Sequence, residues 1–293
     1  MNRKIFLAGG TGVLGRRLVP QLIGAGHQVT LNVRNDDAEA TARRAGAEPI
    51  RVDLFDATAV TDAARGSDAI INVATAIPTG ASAAVRRGWA MNDRLRTEAA
   101  ANLAGAANAI GAHYIGESIT FPYSDAADQW IDESVERSYS SATESVAAAE
   151  SSAEGASGVI LRFAMFSADD SAHTRQLLSL ARLGILALPG APNAFVSWIH
   201  IDDAASAVVA ALDAPAGVYN VAEANPARRA DHMQALAAAL GRKRLRGLPP
   251  LVVSIGGPPV EAVARSQRIS SRAFSEATDW EPRHDIINTW AGG

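Results

Sequence analysis

The sequence predicts an α/β chain, a doubly wound parallel sheet of about seven strands with a smaller C-terminal lobe, and three observations lead there. A short apolar run, Ile5 to Ala8, breaks into Gly9, Gly10, Gly12 and Gly15 before an amphipathic stretch that begins at Val13. Strand-like runs then alternate with helix-like stretches as far as Phe163, the rhythm of a sheet wrapped by helices. Beyond Phe163 the alternation loosens into segments richer in Pro and Gly, which marks off a second lobe.

Each glycine of the first turn has a physical task. Gly9 permits a tight turn, Gly12 lets backbone N–H groups approach a pyrophosphate, and Gly15 lets the helix pack close to the sheet. Val13 and Leu14 stand at the positive end of that helix, facing the same phosphates. The helix should run from about Val13 to Ile23, kinked at Pro20. A second strand, Gln28 to Val33, follows Gly24 and Gly26 at the spacing of a βαβ unit, the context that makes a dinucleotide site credible.

The end of the second strand bears on which dinucleotide fits. An NAD site places Asp or Glu there for the ribose 2′-hydroxyl, whereas an NADP site supplies Arg for the 2′-phosphate. This chain has Val33 then Arg34, and a guanidinium suits a phosphate, so NADP(H) is favoured over NAD(H). Arg34 as a solvated strand-end charge is the alternative. Arg16 and Arg17 are either auxiliary phosphate contacts or the exposed face of the first helix.

The remaining elements follow in order. A helix over Asp37 to Ala45 leads to a third strand, Glu48 to Val52. Asp53 then lies where open α/β sheets bind ligands, or else caps the next helix. The fourth strand, Asp68 to Val73, ends in Ala74-Thr75-Ala76, small residues that let backbone approach a cofactor. A long helix spans about Ala83 to Ile110, and His113 to Ser118 is the fifth strand. A helix over Ser138 to Ala153 precedes the sixth strand, Val159 to Phe163. Helices over Thr174 to Leu183 and Arg229 to Leu240 and a strand over Gly217 to Ala222 complete the reading, with Asp202 or Asp203 able to cap a helix after Ser197.

Composition narrows the function. Of 293 residues, nearly half are apolar and a fifth charged, as in an ordinary soluble enzyme, and none is Cys, so disulfide and thiolate chemistry is excluded. Six scattered histidines show no ligand spacing, so no metal is expected. A formal charge of −4 argues against nucleic acid as a partner. The one basic cluster, Arg242 to Arg244 with Arg246, reads as a solvated loop. No run is long enough for a membrane span and no leader is visible, so the expected location is cytoplasmic.

With glycines at 9, 12 and 15 the turn reads G-x-x-G-x-x-G, and it resembles the extended and atypical short-chain dehydrogenase/reductase families, including NAD(P)-dependent epimerases and dehydratases. Family members often carry Thr before the first glycine, where this chain has Ala8. The resemblance implies adenine contacts at Asp53 and Leu54. It extends to the IHIDD segment after Ser197, which rejoins the nucleotide domain. The implied layout is a dinucleotide domain over residues 1–165, rejoined by 197–222, with 166–196 and 223–293 forming a substrate lobe. A homodimer through the long helices and a small-molecule substrate are also implied.

Catalysis in these families uses Tyr with Lys four residues on, and a Ser or Thr on the substrate oxygen. Ser118 matches the Ser position and Thr120 a nearby hydroxyl. Four residues after Tyr139, however, stands Thr143, and no Lys occurs between Lys4 and Lys243. A neutral Thr cannot lower a phenol's pKa by charge. Three readings follow. The first is an NADP(H)-dependent oxidoreductase acting on a small carbonyl or enone, protonating through Ser118, Tyr123, Tyr139 or water. The second is a non-redox lyase, cyclase or isomerase with Glu117, Tyr123 or Tyr139 as acid or base, and the third is an NmrA-like cofactor sensor. Glu117 matters if buried, because desolvation raises a carboxyl's pKa. Arg162 and Arg268 contact substrate or phosphate, or else form ion pairs.

Overall fold

A computed structural model describes residues 2–80, 82, 85–140, 143–186, 188–248 and 257–292. The chain divides into two compact units. One comprises Met1–Ser118, Ser145–Arg162 and Ala204–Tyr219, and the other Ile119–Glu144, Phe163–Asp203 and Asn220–Gly293.

The first unit is organised by a seven-stranded sheet. Its strands are β1 (Lys4–Ala8), β2 (Gln28–Asn32), β3 (Glu48–Ile50), β4 (Ala69–Asn72), β5 (His113–Ile119), β6 (Val159–Phe163) and β7 (Gly217–Val221), in the spatial order β7-β6-β5-β4-β1-β2-β3. The pairs β1–β2, β1–β4, β2–β3 and β4–β5 are parallel. Strand order therefore reverses between β1 and β4, and such a switch point is where ligands of open α/β sheets bind. Ile5, Phe6, Leu7 and Ala8 of β1 are all buried, as a central strand covered on both faces requires. Phe6, Ile70, Leu103, Ala107, Tyr114 and Ile160 belong to one core cluster.

The helices follow the predicted pattern with informative shifts. Helix α1 (Gly15–Gly24) starts two residues later than expected, because Val13 and Leu14 belong to the turn, and it contains Pro20. Asn35 caps α2 (Asp36–Arg44) by accepting from Ala38 N at 2.9 Å. The cap of α3 (Ala57–Ala63) is Asp56, which accepts from Thr58 N and Ala59 N, so Asp53 does not cap it.

The long helix is described from Arg86; Ala83, its expected first residue, lies outside the described residues. It comprises α4 (Arg86–Arg94), a π turn (Leu95–Ala99) and α5 (Ala100–Ile110). Helix α6 begins at Glu144 instead of Ser138. Before it, Thr143 Oγ1 accepts from Ser140 N at 2.9 Å, a side-chain-capped turn that competes with helix and leaves Tyr139 in irregular chain.

The second unit is built from short pieces around an apolar centre. Met165, Leu177, Leu186, Trp198, Leu236 and Trp290 are among its buried residues. Trp198 meets Trp290 edge-on at 5.5 Å and 82°, and Trp290 Nε1 donates to His232 Nδ1 at 3.1 Å. Helices α7 (Ala172–Arg182) and α9 (Arg229–Ala239) lie in this unit, while α8 (Ile201–Ala210) is divided after Asp203. Two-stranded ribbons supply the rest, among them Trp130–Ile131 with Arg268–Ile269 and Phe195–Val196 with Ala227–Arg228.

Candidate functional site

The turn after β1 is made of backbone packed against backbone. Gly9 has φ +92°, and a Cβ there would stand 2.5 Å from the Val73 carbonyl carbon and oxygen. Only glycine meets both demands. Gly12 N closes the turn by donating to Gly9 O at 3.0 Å. A Cβ on Gly15 would lie 2.3 Å from Gly10 Cα and 2.4 Å from Gly9 O, so the close approach is between the helix's first residue and the loop, not the sheet. Gly12 differs, since a Cβ there would meet only Gly9 O, at 3.3 Å. Gly10, which sequence reasoning left without a role, carries a further constraint: its Cβ would strike Leu31 Cδ1 at 2.3 Å. The doubled glycine was the visible signal.

Arg34 follows β2, is exposed, and makes no ion pair or hydrogen bond among the described residues. A neighbouring arginine behaves differently. Arg51 is hydrogen-bonded to Asp36, and to Glu39 at 2.7 and 3.1 Å, so its charge is already used. Asp53 is exposed and accepts from Phe55 N at 3.0 Å. Leu54 is half-buried and its carbonyl accepts from Asn102 at 2.9 Å. Ala74 N donates to the Asn72 side chain at 3.2 Å, and the Ala74 backbone adjoins Gly9.

The carboxyl end of β5 is made of side chains. Ser118 is 1 % exposed and its hydroxyl donates to Glu150 Oε1 at 2.6 Å. Glu150 in turn holds Arg162 in a fork, at 2.9 Å to Nε and 2.7 Å to Nη2. The Ser118 proton is thus committed to a buried carboxylate, and Arg162 is an ion-pair residue. The Glu117 side chain is 8% exposed, with Arg96 of the π turn 3.5 Å away. Burial pushes its pKa up, against the opposing pull of the Arg96 charge. Because Gly116 pairs with Asn72, the last residue of β4, Glu117 lies one position further toward the carboxyl end of β5.

The other named hydroxyls belong to the second unit. Thr120 is buried, and its backbone N–H donates to Phe163 O at 3.1 Å. Tyr123 is fully buried and donates to Asn220 Oδ1 at 2.8 Å, which makes it a packed loop aromatic. Tyr139 is half-buried with the Arg137 guanidinium 5.4 Å from its ring centre.

In the same unit, His200, Asp202 and His284 bring ligating atoms within 4.8 Å of one another, a proximity that sequence spacing did not show. The two imidazoles stack at 3.8 Å and 18°, and nearly parallel rings do not aim their in-plane lone pairs at one point. Asp203, buried, accepts from the N–H groups of Arg283 and His284 and lies 2.9 Å from His284 Nδ1. A shared ion would require one ring to turn. No helix among the described residues is long and apolar enough to cross a membrane.

Comparisons with known proteins agree with this architecture. A family model described as NAD dependent epimerase/dehydratase matches residues 5–222. A Streptomyces protein named 3-diazoavenalumate denitrifying reductase is 26% identical over 313 aligned positions, covering 99% of this chain and 98% of that one. Among solved structures, the human epimerase family protein SDR39U1 (isoform 2) with NADPH superposes with a TM-score of 0.78 at 23% identity, covering 98% of each chain. UDP-glucuronic acid 4-epimerase from Bacillus cereus, in complex with UDP-glucuronic acid and NAD, gives 0.77 at 16% identity, covering 98% of this chain and 96% of that one.

Proposed function

The chain belongs to the NAD dependent epimerase/dehydratase family, and from that premise we propose that it is an NADP(H)-dependent oxidoreductase acting on a small carbonyl, enone or similar electrophile. The observation that carries the reading is the glycine turn at the strand-order switch, where Gly9 and Gly15 leave no room for a side chain and Gly12 keeps its outer side open. When bound there, the cofactor supplies or accepts hydride. Gly9, Gly12, Val13, Leu14 and Gly15 would hold the diphosphate, Arg34 the 2′-phosphate, Asp53 and Leu54 the adenine, with Ala74 backing the cofactor. Arg34 is favoured for the phosphate because its guanidinium has no other acceptor among the described residues.

Glu117 is the group best suited to give or take a proton. Its side chain is nearly inaccessible toward the carboxyl end of β5, and desolvation raises its pKa. Ser118 and Tyr123 are poorer proton donors, since each hydroxyl hydrogen is engaged by a buried acceptor. Thr120 and Tyr139 remain secondary candidates.

A more specific acceptor is favoured by the Streptomyces relative, whose name gives a diazo compound as its substrate and reduction as its reaction. Hydride addition to a diazonium group, R–N2⁺ + H⁻ → R–H + N2, balances without a proton. A chain with Thr143 where the family's Lys belongs suits such an acceptor, because no acidic phenol is needed.

The test incubates the protein with NADPH or NADH and a panel of aldehydes, enones and aryl diazonium salts, following nicotinamide absorbance and nitrogen release. Turnover with NADPH on any acceptor supports the reading, and nitrogen release supports the diazo form of it. Tight NADPH binding with no consumption across the panel transfers the site to the non-redox reading. Arg34→Asp should weaken NADPH by roughly tenfold or more while sparing NADH; equal losses would remove the argument for NADP(H).

A further inference from the structure

Two short ribbons of the second unit each set an arginine opposite an aromatic ring. In one, Arg268 pairs in register with Trp130, and in the other Arg228 pairs with Phe195. The Arg268 guanidinium carbon lies 4.0 Å from the Trp130 ring centre and 4.9 Å from that of Phe195. The Arg228 guanidinium also lies over Phe195, at 4.4 Å. Cation and ring stabilise each other in such contacts, and the stacking fixes the plane of the guanidinium.

The two arginines differ in what else they touch. Arg228 meets Asp128 at 3.1 and 3.0 Å and the Asn193 carbonyl. Arg268 makes no ion pair or hydrogen bond among the described residues, and its Nε is closed off from solvent without a partner. A guanidinium carries five donors in a rigid fork, and a buried unpaired one is costly. Trp130, whose ring the guanidinium partly covers, is still 46% exposed.

We propose that Arg268 and Trp130 form an anchoring site in the second unit for a planar small molecule bearing a carboxylate. The carboxylate takes the free Nη edge of Arg268, and the flat body of the ligand lies against Trp130. The two rings already hold the guanidinium in one orientation, so little side-chain freedom remains to be lost on binding. Asp128 makes no ion pair with Arg268: Arg228 engages both of its oxygens, and the Arg268 charge acts on it only from further off. The site is independent of the dinucleotide reading, and either can fail without the other.

The experiment titrates the full chain with trans-cinnamate and with its uncharged analogue cinnamamide, by calorimetry and tryptophan fluorescence. The wild-type protein should bind the acid at least about tenfold more tightly than the amide. Arg268→Gln should abolish that preference, and Arg268→Lys should retain part of it, since a lone ammonium keeps the charge without the fork. Circular dichroism checks folding. Should Arg268→Gln not fold, Arg268→Lys decides, with a reduced preference supporting the site. Equal binding of acid and amide by the wild type overturns the proposal, as does an acid preference undiminished in the folded variants.

Discussion

At the end of β1 the chain makes its closest approaches with backbone alone, whereas two strands away, at the end of β5, it makes them with charged side chains. The first region tolerates no addition: a single Cβ on Gly9 or Gly15 lands within 2.5 Å of main-chain atoms. The second tolerates no subtraction. Ser118, Glu150 and Arg162 are all nearly inaccessible, and they are joined by hydrogen bonds through the Glu150 carboxylate. A backbone site is lost by adding a methyl group, and a side-chain site by removing a charge, so the two can be told apart by substitution.

The largest effect should come from adding bulk to the turn. Gly9→Ala must adopt a left-handed φ and displace the Val73 carbonyl, and it should weaken NADPH binding about a hundredfold or more, as read by fluorescence titration. Retained affinity would show that the turn adapts and would dissolve the contrast. Next is Glu150→Gln, which removes the carboxylate charge from the buried fork on Arg162 and should cost ~3–5 kcal/mol in denaturant unfolding. Ser118→Ala should cost about 1–2 kcal/mol and leave NADPH affinity unchanged. A Ser118→Ala protein of wild-type stability would return that hydroxyl to the catalytic list.

A pH effect sharpens the contrast from the second unit, where charge is suppressed instead of paired. Burial raises Glu223 from its ordinary 4.5 to about 8, so the folded protein binds a proton the unfolded chain has released. Its contribution is whole below pH 4.5 and is lost as pH rises through 8. Burial lowers His232 from 6.5 to about 4, so its contribution is present above 6.5 and is lost as pH falls through 4. The two slopes oppose between 4.5 and 6.5, and from there to 8 His232 contributes no slope while Glu223 makes stability fall with pH. Glu223→Gln should flatten that decline in urea midpoints; an unchanged slope would mean that other groups cause it. The smallest effect is expected at Gly105 in α5, where a Cβ would meet nothing within 4 Å. Gly105→Ala should stabilise by about 0.5–1 kcal/mol.

These differences explain what was readable beforehand. The strand Val159 to Phe163 emerged as expected, because a short apolar run, interrupted only by Arg162 and bounded by a glycine and a change of composition, carries its own signal. The start of α6 did not, because the turn at Ser140 to Thr143 depends on side-chain hydrogen bonds that weigh against a helix-favouring composition. Arg162 and Arg268 looked alike in the sequence. One is neutralised by Glu150, twelve residues away, and the other lies over a ring from a strand over seventy residues distant, which no local pattern reveals.

By itself, the sequence determined the alternation of strands and helices, the place of the glycine turn and the missing lysine, since each depends on residues within a few positions of one another. Only the tertiary structure decided which carboxylates, hydroxyls and guanidinium groups are already spoken for. A buried polar group must find a partner or bear the desolvation cost, and the partner comes from whichever distant segment the fold brings alongside.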